Sequence, residues 1–238
     1  MTAINVIRQA NAVHVLTDGI VCNSEGIITE VGPNAFTLPN LPAALAIRGP
    51  TQFMPFLVHR LSRECQSFDE LLKKVVPAAL EVHMSIPMTL GYGDVRPSFD
   101  LVVAGWSIER GRPESFVMTN QENYDQVGLA TAAWRLMPLP DVLIAPSVGM
   151  AQINTVGWRA PENAEAFQPS IDGIKLLRAQ RLSKGLRGGP PDRDIDSVGG
   201  FIQLTTVHAQ GVSSTILHRW PDRAGQRIAF AETSSHLH

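Results

Sequence analysis

The sequence predicts an α+β protein in which two antiparallel sheets stack face to face and helices cover their outer sides. Three observations predict it. The elements run strands, two helices, strands, a helix, strands, without the βαβα alternation of a parallel doubly wound fold. The strands are apolar too densely for one face to meet water. At Phe53 the apolar period changes abruptly from that of strands to that of helices.

The chain opens "MTAINVIRQANAVHVLTDG". Residues 2–8 read as one strand and 12–18 as its antiparallel return, with a tight turn at Ala10-Asn11. Ile20 to Val31 reads as a further hairpin around Ser24-Glu25-Gly26, and Leu41 to Ile47 as a strand ending at Arg48-Gly49-Pro50. Phe53, Phe56, Leu57, Leu61 and Cys65 then recur at helical spacing, predicting a helix near 51–65, with Phe53, Phe56 and Leu57 read as core. Ser67 with Glu70 makes a capping-box signal for a second helix near 67–83, in which Pro77 should kink the helix or end a turn. Strands return at Leu101 to Trp106 and Ser115 to Met118, with Gly111 between them, and at Asp141 to Ala145. A third helix follows Ser170, Lys184 to Asp194 reads as a mobile loop, and Gly200 to Val207 pairs with Val212 to Trp220 about Gln210-Gly211. Trp220 reads as core. The 238 residues form a single domain, 1–238, with 225–238 as a C-terminal tail.

Composition excludes several function classes. The net charge of −2 gives no footprint for nucleic acid and no basic membrane patch. Hydrophobic residues are 44% and charged residues 18%, suited to a sizeable core, yet no run of about 18 apolar residues predicts a membrane span. Arg8, Gln9, Asn11 and His14 interrupt the start, so no signal peptide is expected. Two distant cysteines, Cys22 and Cys65, fit free thiols in a reducing, cytoplasmic setting. The seven histidines have no metal spacing, and Walker, Rossmann and zinc-ribbon patterns are missing, so neither cofactor nor metal is expected. "APSVG" after the strand ending at Ala145 is a degenerate nucleophile elbow, which Pro146 and the lack of βα alternation argue against.

Thr2 and Asp18 carry the candidate chemistry. A threonine hydroxyl needs a base, and a free α-amino group with an unperturbed pKa near 8 can serve once Met1 is removed. Pairing of the first two strands brings Asp18 beside Thr2, where a carboxylate can orient the amine or hydroxyl by charge-assisted hydrogen bonds. Asp18 also suits the opening of a turn before Gly19.

Thr2 opening a strand, Thr17-Asp18-Gly19 closing the next, "AALAIRG" and two consecutive helices together resemble the N-terminal nucleophile hydrolases. The branch resembled is that of proteasome β-subunits and of the peptidase subunits of bacterial two-component ATP-dependent proteases. "DVLIAPSVGMAQ", "PSIDGIKLLRAQR" and "GGFIQLTTVHA" extend the likeness, which covers most of the first 65 residues and, more loosely, about 140–220. The resemblance implies a four-layer αββα sandwich and a threonine-type peptidase or amide hydrolase. It implies Thr2 as nucleophile and base, Asp18 as the orienting carboxylate, and Ser147 as a serine contacting the N-terminus. The backbone around Ala46, with Gly49 beyond it, corresponds to the turn that donates an N–H to the oxyanion.

One position departs from the family. Asn34, in "VGPNAF", stands where the family has a lysine, and no lysine lies between Met1 and Arg48. Losing a close cation removes an electrostatic contribution of about 1–4 kcal/mol, which implies impaired activity. The resemblance further implies a homo-oligomer, in the manner of a ring, and a peptide or protein substrate if the site is active. The alternative is a catalytically inactive structural or assembly protein. Chains beginning near "MTAI" and ending near "LHRWPD" look similar to proteins encoded in bacterial prophages, which implies phage or assembly partners and a place in the virion.

Overall fold

A computed structural model describes residues 2–23, 25–85, 96–122, 132–183 and 198–228. The protein is a mixed α+β structure built on antiparallel sheets. β1 (Ile4–Gln9) and β2 (Ala12–Asp18) form the expected hairpin, with Ile4 opposite Thr17 and Gln9 opposite Ala12. β3 (Ile20–Cys22) and β4 (Ile28–Val31) make a small separate ribbon. β5 (Ala35–Thr37) and β6 (Ala43–Arg48) lead to a short 3-10 turn, Thr51–Phe53, and to α1 (Met54–Glu64) and α2 (Phe68–Ser85). Next come β7 (Asp100–Ser107), β8 (Arg112–Thr119), β9 (Met137–Pro138) and β10 (Val142–Ala145). The chain continues through α3 (Met150–Thr155), α4 (Pro169–Leu182), β11 (Phe201–His208) and β12 (Gly211–Arg219).

One five-stranded sheet has the order β10-β1-β2-β11-β12, and the other β5-β6-β7-β8-β9. The alternation of each strand sends its residues to two different apolar clusters. Ile4, Val6, Val13 and Val15 of the first sheet join Ala35, Ala44, Ala46, Val102 and Ala104 of the second. Their neighbours Ile7, Leu16 and Ile202 join Leu176 and Leu177 of α4. In the second sheet Leu45, Ile47, Leu101 and Val103 join Leu57, Leu61, Phe68, Leu71 and Val75 of α1 and α2. Small alanines in the first of these clusters let the sheets approach; each buried leucine or isoleucine in the others contributes about 1.5–3 kcal/mol.

Local chemistry explains the helix boundaries. The Ser67 hydroxyl accepts from the Glu70 N–H at 3.1 Å, and Glu70 reaches back to the N–H of Gln66 at 2.9 Å. The helix continues through Pro77 rather than ending there. Pro77 and Lys73, the residue four before it, both lie on the exposed side, so water can take the carbonyl that proline leaves without a donor.

Several expectations need correction. Phe56 is not core: it is 69% exposed, while Phe53 and Leu57 are buried as expected. Three residues cannot show a period, so β5 was not foreseen, nor were the short β9 and α3. Trp220 is half-buried, with the Arg181 guanidinium 4.7 Å above its ring. Gly225 to Ile228, read as the start of a tail, bind β4 instead: the Gly225 N–H donates to the Ile28 carbonyl, and Ile228 packs on Ile20 and Ile28. The loop expected at Lys184 to Asp194 lies outside the described residues, as does 229–238. Neither Cys22 nor Cys65 is in a disulfide, and Cys65 is buried. Among the described residues no helix is long and apolar enough to cross a membrane.

Candidate functional site

The β1–β2 register places Thr2 and Asp18 at one end of the first sheet. Ile4 faces Thr17, so the next pair outward is Ala3 and Asp18. The Ala3 N–H donates to Asp18 Oδ1 at 2.9 Å, and the Gly199 N–H donates to Oδ2 at 3.1 Å. Asp18 is completely buried, and Thr2 is 8% exposed. Burial pushes the Asp18 carboxyl up to about 7, against the opposing pull of the Gly199 and Ala3 N–H groups. Two neutral donors satisfy the oxygens but do not replace the hydration that an ionised carboxylate loses on leaving water.

Gly200 makes the approach of residues 199–200 possible. It has φ +72°, and a Cβ there would lie 2.4 Å from the Gly19 carbonyl oxygen. The loop is held from behind: Asp222 accepts from the Gly200 N–H at 2.7 Å and pairs with the buried Arg181 at 2.7 and 2.9 Å.

Asn34 closes over Asp18 from the second sheet. Its Nδ2 donates to the Asp18 carbonyl at 2.8 Å and lies 3.4 Å from Asp18 Oδ1. Its own Oδ1 is buried with no hydrogen-bond partner among the described residues. The groups Asn34 meets are therefore acceptors, which suits a donor-only side chain better than an amide.

Arg48, the last residue of β6, approaches from the other side. Its Nε donates to the Thr2 carbonyl at 3.2 Å, and Nη1 lies 3.6 Å from Asp100 Oδ2. Burial pushes the Asp100 carboxyl above the usual range, opposed by the Arg48 guanidinium and the Thr119 hydroxyl. Gly49 turns the chain away immediately after Arg48, with φ +134°; a Cβ there would lie 2.8 Å from the Ser98 carbonyl oxygen and from Phe99.

The remaining candidates surround this group. Ala46 sits within β6, opposite Ala35 and Val102, with its side chain in the apolar layer. Ser147 is exposed. Ile4 pairs with Ala145, so Thr2 and Ser147 both lie two residues past that pair at the same end of the sheet. The Pro146 carbonyl before Ser147 accepts from Gln180 Nε2 at 2.7 Å, and Gln180 exchanges two amide hydrogen bonds with the buried Asn5 at 2.9 and 2.8 Å.

Sequence reading missed Arg48, Asp100, Gly199 and Gly200 as site residues. The available signals were a charge ending the apolar run "AALAIRG" and a glycine pair opening β11. Neither says what it touches. Among the described residues no group of three or more His, Cys, Asp or Glu is placed to hold a metal ion. The arrangement offers a threonine beside a buried carboxyl, with an amide and a guanidinium from the opposite sheet. In comparisons with known proteins the chain matches no family model and no curated protein.

Proposed function

We propose that the chain is a proteasome-like N-terminal nucleophile hydrolase with four αββα layers, acting through Thr2 as a threonine-type peptidase or amide hydrolase of reduced activity. The observation that carries this reading is the cluster at the start of β1: the Ala3 N–H on the Asp18 carboxyl, Asn34 beside that carboxyl, and Arg48 on the Thr2 carbonyl. The division of apolar residues among three clusters supports the layer order. In this reading removal of Met1 frees the Thr2 amine. The amine takes the Oγ proton as Oγ attacks the substrate carbonyl carbon, the leaving amine receives that proton, and water then hydrolyses the ester. Asp18 positions Thr2 through the backbone N–H next to it. Activity is reduced because Asn34 supplies a dipole where an ammonium would stabilise the developing negative charge.

A second reading, a non-catalytic assembly subunit of the phage-particle kind, is favoured by the same substitution. With an amide rather than a lysine beside it, the Asp18 carboxyl has its pKa raised by burial to about 7. Both readings carry a homo-oligomer.

The test uses protein with Thr2 verified as its first residue by intact mass, treated with a peptide vinyl sulfone and compared with Thr2→Ala. Slow labelling at Thr2, lost in the alanine variant, supports the hydrolase. Labelling no greater than that of Thr2→Ala across pH 5–9 leaves the assembly reading in its place.

A further inference from the structure

We propose that Arg48 is the cationic positioning residue of the Thr2 centre and that Asp100 sets how much of its charge that centre feels. This rests on the hydrolase reading of Thr2.

Arg48 comes from the other sheet, 46 positions along the chain, and is the guanidinium bonded to the Thr2 backbone, at 3.2 Å. Its side chain is 12% exposed and that of Asp100 11%, so water screens their fields less than it screens surface charges. A tether to a carbonyl needs only a neutral donor. An arginine–aspartate pair carries a desolvation cost that a neutral pair avoids, so its presence here calls for a role that charge performs.

The role follows from the base. An α-amine acts as a base only when neutral, and a nearby positive charge disfavours its ammonium form. The same charge stabilises oxygen as it becomes negative during attack. Arginine keeps its charge at every relevant pH. Arg48 therefore supplies from β6 part of the positive charge that Asn34 lacks beside Asp18. Asp100 acts in the opposite sense: when ionised it cancels part of the guanidinium field. Asp18 from β2, Arg48 from β6 and Asp100 from β7 are charged or titratable groups that lie next to Thr2 or pair with one that does. Gly49 secures the geometry, because its backbone conformation lets residues 98–99 close over the end of β6.

The test is the pH dependence of Thr2 labelling by a peptide vinyl sulfone, on full-length protein whose first residue is Thr2 by intact mass. The acid limb of the rate profile reports the base. Arg48→Met should move that limb to higher pH by about one unit, making labelling roughly tenfold slower at a fixed pH on the limb. Arg48→Lys, which keeps the charge, should leave the limb near its original place. Asp100→Asn should move it to lower pH. A purely structural tether would lower rates in the variants without moving the limb in opposite directions.

If Arg48→Met does not fold, the downward shift in Asp100→Asn supports the proposal, and an unmoved limb overturns it. Labelled wild-type protein with unmoved limbs in both variants overturns the role of Arg48 while leaving the hydrolase reading intact. Wild-type protein that labels no better than Thr2→Ala removes that reading, and this inference with it.

Discussion

Asp18 and Asp69 are both aspartates buried among backbone N–H donors, yet their surroundings push them in opposite directions. Asp69, near the start of α2, accepts from the Ser107 hydroxyl at 2.7 Å, from the N–H groups of Ile108 and Glu109 at 3.0 and 3.2 Å, and from Arg110 at 2.8 Å. Burial raises its carboxyl, but the Ser107, Glu109, Arg110 and Ile108 groups together outweigh burial and hold it below the usual range. Asp18 has two backbone donors on its oxygens and the Asn34 amide at the edge of hydrogen-bonding distance, and burial wins. Asp69 has a serine hydroxyl and a cation that Asp18 lacks, and at Asp18 desolvation is the largest influence and is not outweighed. Asp69 fastens α2 to the β7–β8 hairpin in one ionisation state. Asp18 sits near the midpoint of its titration at neutral pH, a poor clamp but a group whose charge can respond to what binds beside it.

The largest effect tests the burial of Asp18. Its folded pKa is raised from 3.8 to about 7, so the folded state holds an extra proton between those values. Stability from this source is full below pH 4 and is lost as pH rises through 7. Asp18→Asn does not titrate, so its stability relative to wild type should climb by about 4 kcal/mol from pH 4 to pH 8. His14, whose burial lowers its pKa to about 4, titrates in the same window with the opposite sign and cancels from the difference. Urea unfolding at several pH values measures it; a flat difference would mean that Asp18 is ionised without penalty.

Asp69→Ala comes next. It leaves two N–H groups and a buried hydroxyl without their acceptor and should cost about 3 kcal/mol. Because the folded carboxyl is lowered, that contribution is present above the ordinary carboxylate pKa and disappears as the solution is acidified. A loss that instead grew in acid would contradict the assigned direction.

Asn34→Lys should make Asp18 behave as Asp69 does. An ammonium beside the carboxyl favours its ionised form, so the stability change between pH 4 and 8 seen in wild type should shrink. Labelling of a free Thr2 should rise about tenfold, corresponding to about 1.4 kcal/mol. Labelling that stays at the Thr2→Ala background would show that the missing cation is not what limits this site.

The smallest effect is at Arg110→Met. Its side chain is 37% exposed and shared among Asp69, Glu109 and Glu114, so solvent screens it, and the loss should be under about 1 kcal/mol and weaker in high salt. A loss above 2 kcal/mol would make the guanidinium, rather than the three local donors, the main anchor of Asp69.

Sequence alone determined the elements whose length exceeds their period. The β1–β2 hairpin was legible because two apolar runs flank a two-residue turn, and that register already placed Asp18 beside the start of the chain. α1, α2, α4, the β7–β8 hairpin and the β11–β12 hairpin were legible because each repeats its apolar spacing over more than one turn or several alternations. Tertiary structure alone decided the rest. β5 exists because three residues complete a ladder with β6. The Gly199 N–H reaches Asp18 from 181 positions away, and Arg48 reaches Thr2 only because β6 and β1 lie in facing sheets. The pKa of Asp18 has no local cause, since an aspartate before a glycine titrates normally in water. Packing of the strands and of the loop at residues 199–200 removes the water from around it, and desolvation depends on everything within reach rather than on neighbours in sequence.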